Sequence, residues 1–401
     1  MNLKILLRRK ITLGIKITNQ DIYIFKYIYM LRFMTFYQIY NAFYKTEANN
    51  TSYCYARLNK LAQNNYLEKI KTYQGIYCYF LTTKSINLLI KEQGTTESPS
   101  HINKIKKKGY FRASELKFKN LNRLDHQIAL NDIFLDLNRK LPAGVDFTYI
   151  DSKHLNLKQE YGLDLRPDAI IETKDNTRFF VEMDMGTESM SFVKNKFLHY
   201  QNYLIKSKKQ QKNVILFFAH NSSDYRMESL KSLTVDYLGE FADNYFDVFI
   251  DKTENLLEFL THEYFVLTPS IPKKLIDTLQ KSHTIVQNPE ETINTHKDYP
   301  LFRAYNQQAY NEQFQDFFLE YVFGDSLAFN MRLKNYHYTL SHMKKKIPLV
   351  SVCNSSKQIK NICKRLSPLS EKVYLIPLSL VKENFLNELE EYNLRIIKEL
   401  E

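Results

Sequence analysis

Apolar residues recur at helical spacing in three segments near the start of the chain. Residues 20–32 form the first segment, residues 36–43 the second, with Thr35 in position to cap it, and residues 51–64 the third. Two runs of alternating apolar and polar residues follow, YLEKIKTY and IYCYFL, and they predict a β-hairpin. The beginning of the chain is therefore predicted to fold as three helices and a hairpin.

The pattern changes near residue 120. A helical run, LNRLDHQIALNDIFLDLNRKL, precedes three strand-like runs, DFTYIDSKHLNL, LRPDAIIET and TRFFVEMD. A helix over 190–206 and the apolar strand NVILFFA come next. Helix, three strands, helix and strand in this order predict an α/β sandwich built on one central sheet.

The last third of the chain has a more mixed pattern. The run IPLVSVCNSSKQIKNICKRL echoes NVILFFAHNSSDYRMESLKSL, because each has an apolar strand followed by Asn-Ser-Ser at the start of a helix. The echo predicts either a partial repeat of a strand-helix unit or a continuation of the same sheet after an insertion. The final segment, 380–401, is amphipathic and is predicted to serve a homodimer interface.

These patterns predict a multidomain fold of the α+β and α/β classes. The four predicted segments are an N-terminal domain of three helices and a hairpin (1–93), a basic linker (94–119), an α/β sandwich domain (120–260) and a C-terminal α/β extension of unassigned function (261–401).

Charge is distributed unevenly along the chain. The whole sequence has a formal net charge of +12, and residues 1–120 alone hold 21 basic against 6 acidic side chains. This asymmetry is typical of a nucleic-acid-binding module joined to a neutral globular part. Solvated lysines in a generally basic protein are the alternative interpretation.

The cysteines and the apolar runs bear on the compartment. Four scattered cysteines show no paired spacing for a metal site or a disulfide scaffold, which favours a reducing cytoplasm. No run approaches the roughly 18 apolar residues that a membrane span needs, so a membrane partner is not expected. A cytoplasmic protein is therefore predicted.

The run RLNKLAQNNYLEKI resembles the recognition helix and first wing strand of winged helix-turn-helix proteins. The resemblance implies binding of double-stranded DNA, with the helix in a major groove and the wing on phosphates. A winged helix that docks protein or dimerises is the alternative. The predicted DNA-binding residues are Tyr55, Arg57, Asn59, Lys60, Asn64, Lys69 and Lys71. The remaining aromatic side chains, such as Tyr23, Tyr27, Phe36, Tyr40 and Tyr53, are expected in the core rather than in a base-stacking surface.

Carboxylates interrupt the apolar strands of the predicted sandwich. Alternate residues of TRFFVEMD point to opposite faces, so Glu182 and Asp184 share one face, and Asp168 directly precedes another strand. Like charges this close raise each other's pKa unless a cation compensates them. The sequence therefore predicts a site for a hard divalent ion, Mg²⁺ or Mn²⁺, held by one or two of these three carboxylates. A strand end paired with Arg166 or Lys196 is the alternative.

Pro167-Asp168, followed fourteen residues later by Glu182-Met183-Asp184, resembles the motif of the PD-(D/E)XK nuclease superfamily. In that superfamily the acids that correspond to Asp168 and Glu182 bind the metal, and a lysine two residues after the second of them positions the attacking water. Asp184 replaces that lysine here, and Lys196 in the following helix is the candidate substitute. The resemblance implies Asp168, Glu182, Asp184 and Lys196 as candidate catalytic residues, and it leaves open whether the domain cleaves DNA or keeps the fold for binding.

The stretches LDHQIALNDIFLDL and LRPDAIIETKDNTRFFVEMDMGTESMSFVKNKFLHYQNYL are similar to the replication-relaxation family of plasmids and mobile elements. The similarity covers about residues 20 to 240 and implies a role in plasmid replication or in DNA relaxation and mobilisation. Relaxase or replication proteins would then be partners, and a non-catalytic regulator or relaxosome accessory protein is the alternative. The residues that carry the similarity are His126, Arg166, Pro167, Asp168, Ala169, Glu182, Asp184, Gly186, Thr187 and Glu188, followed by Lys196 and Tyr200.

Overall fold

The protein, described here by a computed structural model, is an α+β chain that divides into two compact units. The first unit contains residues 1–139 and 149–156, and the second contains residues 140–148 and 157–401. The structure describes residues 15–45, 51–72, 74–92, 111–117, 124–141, 145–155, 157, 164–207, 211–242, 245–265, 273–281, 284–287, 302–305, 312–322, 324, 326–331, 333, 336, 348–353, 358–360, 362–363, 372–382, 385–386, 388–389 and 391–393.

The first unit consists of helices and a small antiparallel sheet with strand order β1-β3-β2. The three helices and the hairpin that the apolar spacing predicts are present, and Thr35 caps the second helix. A fourth helix directly after the hairpin was not predicted, and it buries Ile86 and Leu89. The elements are α1 (Asn19–Leu31), β1 (Met34–Thr35), α2 (Phe36–Phe43), α3 (Thr51–Gln63), β2 (Leu67–Lys71), β3 (Tyr77–Leu81), α4 (Thr83–Glu92), α5 (Ala113–Leu116) and α6 (Leu124–Lys140).

Helix α6 belongs to the first unit up to Arg139, although its sequence pattern predicts the first element of the sandwich domain. Polar side chains explain this placement. The Asn131 amide donates to the backbone carbonyl of Phe33 at 2.8 Å, and the Gln38 amide donates to Asp132 Oδ1 at 2.8 Å. Since Asn131 and Gln38 are both buried, these hydrogen bonds fix the helix against the chain between α1 and α2.

A buried ion pair connects α1 to α3. The Asp21 carboxylate is 1% exposed and accepts hydrogen bonds from the backbone N–H of Thr18 at 2.7 Å and from its hydroxyl at 2.8 Å. The Arg57 guanidinium donates to both Asp21 oxygens, through Nε at 2.9 Å and through Nη2, and also to the Lys16 carbonyl at 2.8 Å. Arg57, predicted to project into a DNA groove, is thus turned inward. These contacts with Asp21 raise the pKa of Arg57.

The second unit contains two five-stranded sheets. The first sheet has the order β4-β5-β6-β7-β8, with β5 and β6 antiparallel and β6, β7 and β8 parallel. Its first strand spans the boundary between the units. The elements are β4 (Phe147–Asp151), β5 (Ala169–Thr173), β6 (Thr177–Asp184), α7 (Met190–Lys206), β7 (Lys212–Ala219), α8 (Asp224–Leu238), β8 (Phe246–Lys252) and α9 (Thr253–Phe259).

The second sheet repeats the plan of the first. Its order is β9-β10-β11-β12-β13, with β10 and β11 antiparallel and β11, β12 and β13 parallel. The echo between the two Asn-Ser-Ser segments therefore marks a repeat and not a continuation of the first sheet. The elements are α10 (Lys273–Lys281), β9 (Ile285–Gln287), β10 (Phe302–Tyr305), β11 (Asp316–Val322), β12 (Leu349–Cys353) and β13 (Val373–Pro377).

The two central strands share a sequence as well as a position. Phe-Phe-Val-Glu in β6 corresponds to Phe-Phe-Leu-Glu in β11, which places Glu182 and Glu320 at the same point. Each strand is followed by a glycine with positive φ, 75° at Gly186 and 51° at Gly324. A serine caps the next helical segment in both copies, Ser189 in the first and Ser326 in the second.

The acidic positions differ between the copies. Val322 in β11 stands where β6 has Asp184, because each lies two residues after the shared glutamate. Ala169 pairs with Val181 in the first sheet, and Phe302 pairs with Leu319 in the second. Because Val181 and Leu319 each directly precede the shared glutamate, Phe302 corresponds to Ala169 and Leu301 corresponds to Asp168. Leu301 lies outside the described residues. The second copy thus keeps the buried glutamate and has lost both neighbouring acids.

Three described residues between 385 and 389 pack on the second sheet. Phe385, Leu386 and Leu389 are buried in the core that also contains Leu319 and Val350. The apolar face that predicts a homodimer interface is therefore covered within the chain at these three residues. None of the helices in the described parts of the chain is long and apolar enough to cross a membrane.

Replacing Arg57 with alanine is expected to lower the free energy of unfolding by about 3 kcal/mol, because it leaves the buried Asp21 carboxylate without its cation. Lys60, one turn along the same helix and exposed, provides the matched control. Lys60→Ala is expected to stay within about 0.5 kcal/mol of the wild type. Urea unfolding followed by circular dichroism measures both, and equal stability of the two variants would contradict the role given to Arg57.

Candidate functional site

The candidate site lies where the central strand of the first sheet ends. All eight residues of β6 are buried, and its even-numbered side chains face α7 and α8. Asp168 lies beside this strand, because its backbone N–H donates to the Val181 carbonyl at 3.0 Å and its Oδ2 accepts from the Met183 N–H at 2.8 Å. The predicted grouping of Asp168 with Glu182 at one sheet position is therefore present.

Glu182 is fully buried and makes two charge-related contacts with α7. Its Oε2 lies 2.8 Å from the ammonium Nζ of Lys196, and its Oε1 accepts a hydrogen bond of 2.6 Å from the Tyr200 hydroxyl. Lys196 and Tyr200 are four residues apart on one helix, so both reach the same carboxylate. Glu188 adds a weaker contact, 3.8 Å from the same ammonium. The lysine suggested by the sequence thus lies directly beside the predicted glutamate.

Burial and charge act in opposite directions on this cluster. Burial raises the pKa of Glu182 to about 7; the Asp168 charge adds to this effect and the Lys196 ammonium opposes it. Burial alone would lower the pKa of Lys196, but the charges of Glu182, Asp168 and Glu188 outweigh it, so the pKa of Lys196 is raised. The cluster therefore keeps a charged lysine and a carboxyl that takes up a proton near neutral pH.

Asp184 has a different cation. Arg226 donates to both of its oxygens, through Nε and Nη2 at 2.6 Å each, and Ser222 donates to it at 3.2 Å. The sequence interpretation offered Arg166 or Lys196 as partners and missed Arg226. The sequence does contain a feature that points to Arg226. Because β6 and β7 are parallel, Asp184 at the end of β6 lies beside the end of β7, and Arg226 is in the first turn of the helix that follows β7.

The carboxylates predicted to bind a divalent ion contact protein groups in this structure. Both Glu182 oxygens are engaged by Lys196 and Tyr200, and both Asp184 oxygens by Arg226. Within the described part of the chain, no group of three or more His, Cys, Asp or Glu side chains is placed to hold a metal. These side chains fit an internally compensated ion-pair network.

The predicted DNA-binding residues divide into two groups. Lys69 of the hairpin donates to Asn59 Oδ1 at 2.9 Å and lies 4.8 Å from the centre of the Tyr55 ring, so these three form one surface cluster. Lys60 and Lys71 are exposed, and Asn64 is half-buried with its amide bonded to the Lys60 carbonyl. Arg57 does not join them, because Asp21 holds it.

The remaining residues of the family signature are less closely associated with the cluster. Arg166 and Thr187 are exposed, and Gly186 supplies the turn after β6 through its positive φ. His126 is half-buried on α6 and belongs to the first unit.

Replacing Lys196 with methionine is expected to destabilise the protein more at pH 8 than at pH 6. Because the folded-state pKa of Glu182 is raised, its bound proton stabilises the fold at low pH, and this stabilisation is lost as the pH rises through about 7. Without the ammonium the pKa of Glu182 is raised further, so the folded protein keeps the carboxyl proton at pH 8 while the unfolded chain has released it, and the extra loss of stability between the two pH values is expected to be about 1 kcal/mol.

Denaturant unfolding at pH 6 and pH 8 measures this difference. The double variant Lys196→Met with Glu182→Gln is the control, because it has no carboxyl to titrate and is expected to lose the extra pH dependence. The same destabilisation at both pH values in Lys196→Met would show that Glu182 does not titrate in this window.

Comparison with known proteins identifies a family for the part of the chain that contains these residues. The family model described as replication-relaxation matches residues 25–217, about half of the chain, and this span includes the cluster of Asp168, Glu182 and Lys196. No curated protein and no solved structure matches the chain. Through residues 25–217 the chain belongs to the replication-relaxation family.

Proposed function

We propose that this protein binds DNA and acts in the replication or relaxation of a plasmid or another mobile element. The family assignment gives the role in replication or relaxation. The observation that carries DNA binding is the surface cluster of Tyr55, Asn59 and Lys69, with Lys60 and Lys71 exposed. Ammonium groups on a helix and on its neighbouring hairpin suit phosphates on a nucleic-acid backbone.

In this proposal the first unit is a winged helix. The order of α1, α2, α3 and the β2-β3 hairpin supports the assignment, and β1 pairs with β3 as a third strand. The hairpin would act as the wing. Helix α3 would face the DNA with Tyr55, Asn59 and Lys60, and Arg57 would hold α3 on α1 instead of reading bases.

The first sheet of the second unit would be a PD-(D/E)XK-like fold kept for binding or assembly. This reading is supported by the compensated network, in which Lys196 and Arg226 neutralise Glu182 and Asp184. A buried charge that already has its partner does not require a ligand to compensate it. The protein would then work as an accessory or regulatory factor.

A DNA endonuclease is the second candidate. One observation favours it: the Lys196 ammonium lies 2.8 Å from Glu182, the position at which a lysine that has moved to the helix would orient a water molecule. DNA binding and cleavage are separable by experiment, because the lysines of the first unit and the carboxylates of the second can be changed independently.

Replacing Lys60 and Lys71 together with alanine is expected to weaken DNA binding and to lower the salt dependence of binding by about two phosphate contacts. Fluorescence anisotropy with a labelled duplex between 50 and 200 mM salt measures this. The control removes two exposed lysines of the second unit, Lys206 and Lys382, and is expected to keep the wild-type slope. Equal slopes in all three proteins would place the DNA-binding surface elsewhere.

Incubation with supercoiled plasmid separates binding from cleavage. We expect gel retardation with Mg²⁺, with Mn²⁺ and with EDTA alike, and no nicking, because the carboxylates are already compensated. Glu182→Gln is the matched variant, since it keeps the shape of the side chain. Metal-dependent nicking that disappears in Glu182→Gln would instead establish the endonuclease and overturn the accessory role.

A further inference from the structure

Large aromatic side chains are exposed on the first unit, where the sequence pattern leads us to expect a core. Tyr37 is 65% exposed, Tyr53 61%, Tyr23 58% and Tyr55 44%. An isolated exposed tyrosine is ordinary, but several that adjoin one another mark a surface for a ligand. Tyr23 and Tyr53, predicted to be buried, are therefore corrected to surface residues.

A continuous row connects three elements of this unit. We name it the tyrosine-lysine row; it contains Tyr37, Phe36, Tyr55, Lys69 and Tyr77. The Phe36 ring lies 5.5 Å from the Tyr37 ring and 6.0 Å from the Tyr55 ring between centroids. The Lys69 ammonium then lies 4.8 Å from the Tyr55 centroid and 3.8 Å from the Tyr77 centroid. Helices α2 and α3 and both hairpin strands contribute to the row.

The same surface is poorly equipped to read a base pair. Arg57, whose fork would suit guanine, is held by Asp21, and the Asn59 carbonyl oxygen is occupied by Lys69. Helix α3 instead presents the ring of Tyr55, which lies next to the Lys69 ammonium. Bases in a duplex are already stacked on one another, whereas unpaired bases have free faces that stack on aromatic rings.

The charge of the surface selects the kind of ligand. Lys69 lies within the row, Lys71 lies 5.7 Å from the Tyr77 centroid, and Lys60 is exposed on α3. Ammonium groups between rings suit a chain that alternates phosphates with flat bases. An apolar protein partner would instead leave these charges to be desolvated without compensation.

We propose that the tyrosine-lysine row binds single-stranded DNA by stacking its bases on Tyr55 and the neighbouring rings. The proposal rests on the proposed DNA-binding function and names the form of DNA that this surface takes. A protein that acts where a duplex has been opened, as replication or relaxation requires, would meet such a strand.

Anisotropy with a labelled 20-nucleotide oligothymidine and with a hairpin duplex of equal length tests the proposal. The full-length wild type is expected to bind the single strand more tightly than the duplex. Tyr55→Ala is expected to weaken single-strand binding about 10-fold and to weaken duplex binding less, because the bases of a duplex are already stacked on one another. Tyr55→Phe keeps the ring and is expected to keep the affinity.

The control is Tyr225→Ala, which removes an 85% exposed tyrosine from helix α8 of the second unit. It is expected to bind both DNA forms as the wild type does. Circular dichroism and thermal melting of each variant establish that the fold is intact; if Tyr55→Ala does not fold, Tyr37→Ala and the Tyr55→Phe comparison carry the test.

The outcomes separate this proposal from the one on which it rests. Duplex binding with no preference for the single strand, unchanged by Tyr55→Ala, would overturn the single-strand proposal and leave DNA binding standing. Absence of binding to either form would overturn both. Single-strand binding that Tyr55→Phe loses as fully as Tyr55→Ala would show that the hydroxyl and not the ring is used, which also overturns stacking.

Discussion

The second unit depends on how one buried carboxylate is compensated. Glu182 is in the middle of a sheet, on a strand whose every residue is buried, and an uncompensated charge there would be strongly unfavourable. The Lys196 ammonium and the Tyr200 hydroxyl supply the missing polar contacts from one face of α7. The helix and the strand therefore fix each other's position: a shift of α7 by one residue would separate both donors from the carboxylate.

The first unit uses the same kind of interaction between other elements. Asp21 and Arg57 are 36 residues apart in sequence and connect the first turn of α1 with the middle of α3. In both units the compensating cation comes from a helix that packs on the element holding the acid. Such pairs give a specific register to helices whose apolar faces alone would tolerate sliding.

Apolar spacing was sufficient to predict most elements up to residue 219, because burial of one face sets the period of a helix or a strand. Lys196 was a candidate neighbour of Glu182 through the resemblance to the nuclease motif and as one of two possible ion-pair partners, and apolar spacing alone did not select it. Arg57 and Arg226 could not, because their partners depend on the rotation of a helix about its axis. The exposure of Tyr23 and Tyr53 was missed for a related reason: hydrophobicity predicts burial, and these rings are hydrophobic without being buried.

The repeat in the second unit has a consequence for symmetry. Two copies of one fold joined in a single polypeptide cannot dissociate from each other. The chain between them also limits their separation, whereas two separate chains can come apart. Here the copies are unequal, since Asp184 of the first corresponds to Val322 of the second. The unit is therefore symmetric in strand order and asymmetric in charge: the first copy has acids at Asp168, Glu182 and Asp184, whereas the second keeps an acid only at Glu320, so a side-chain cation is required at more positions in one copy than in the other.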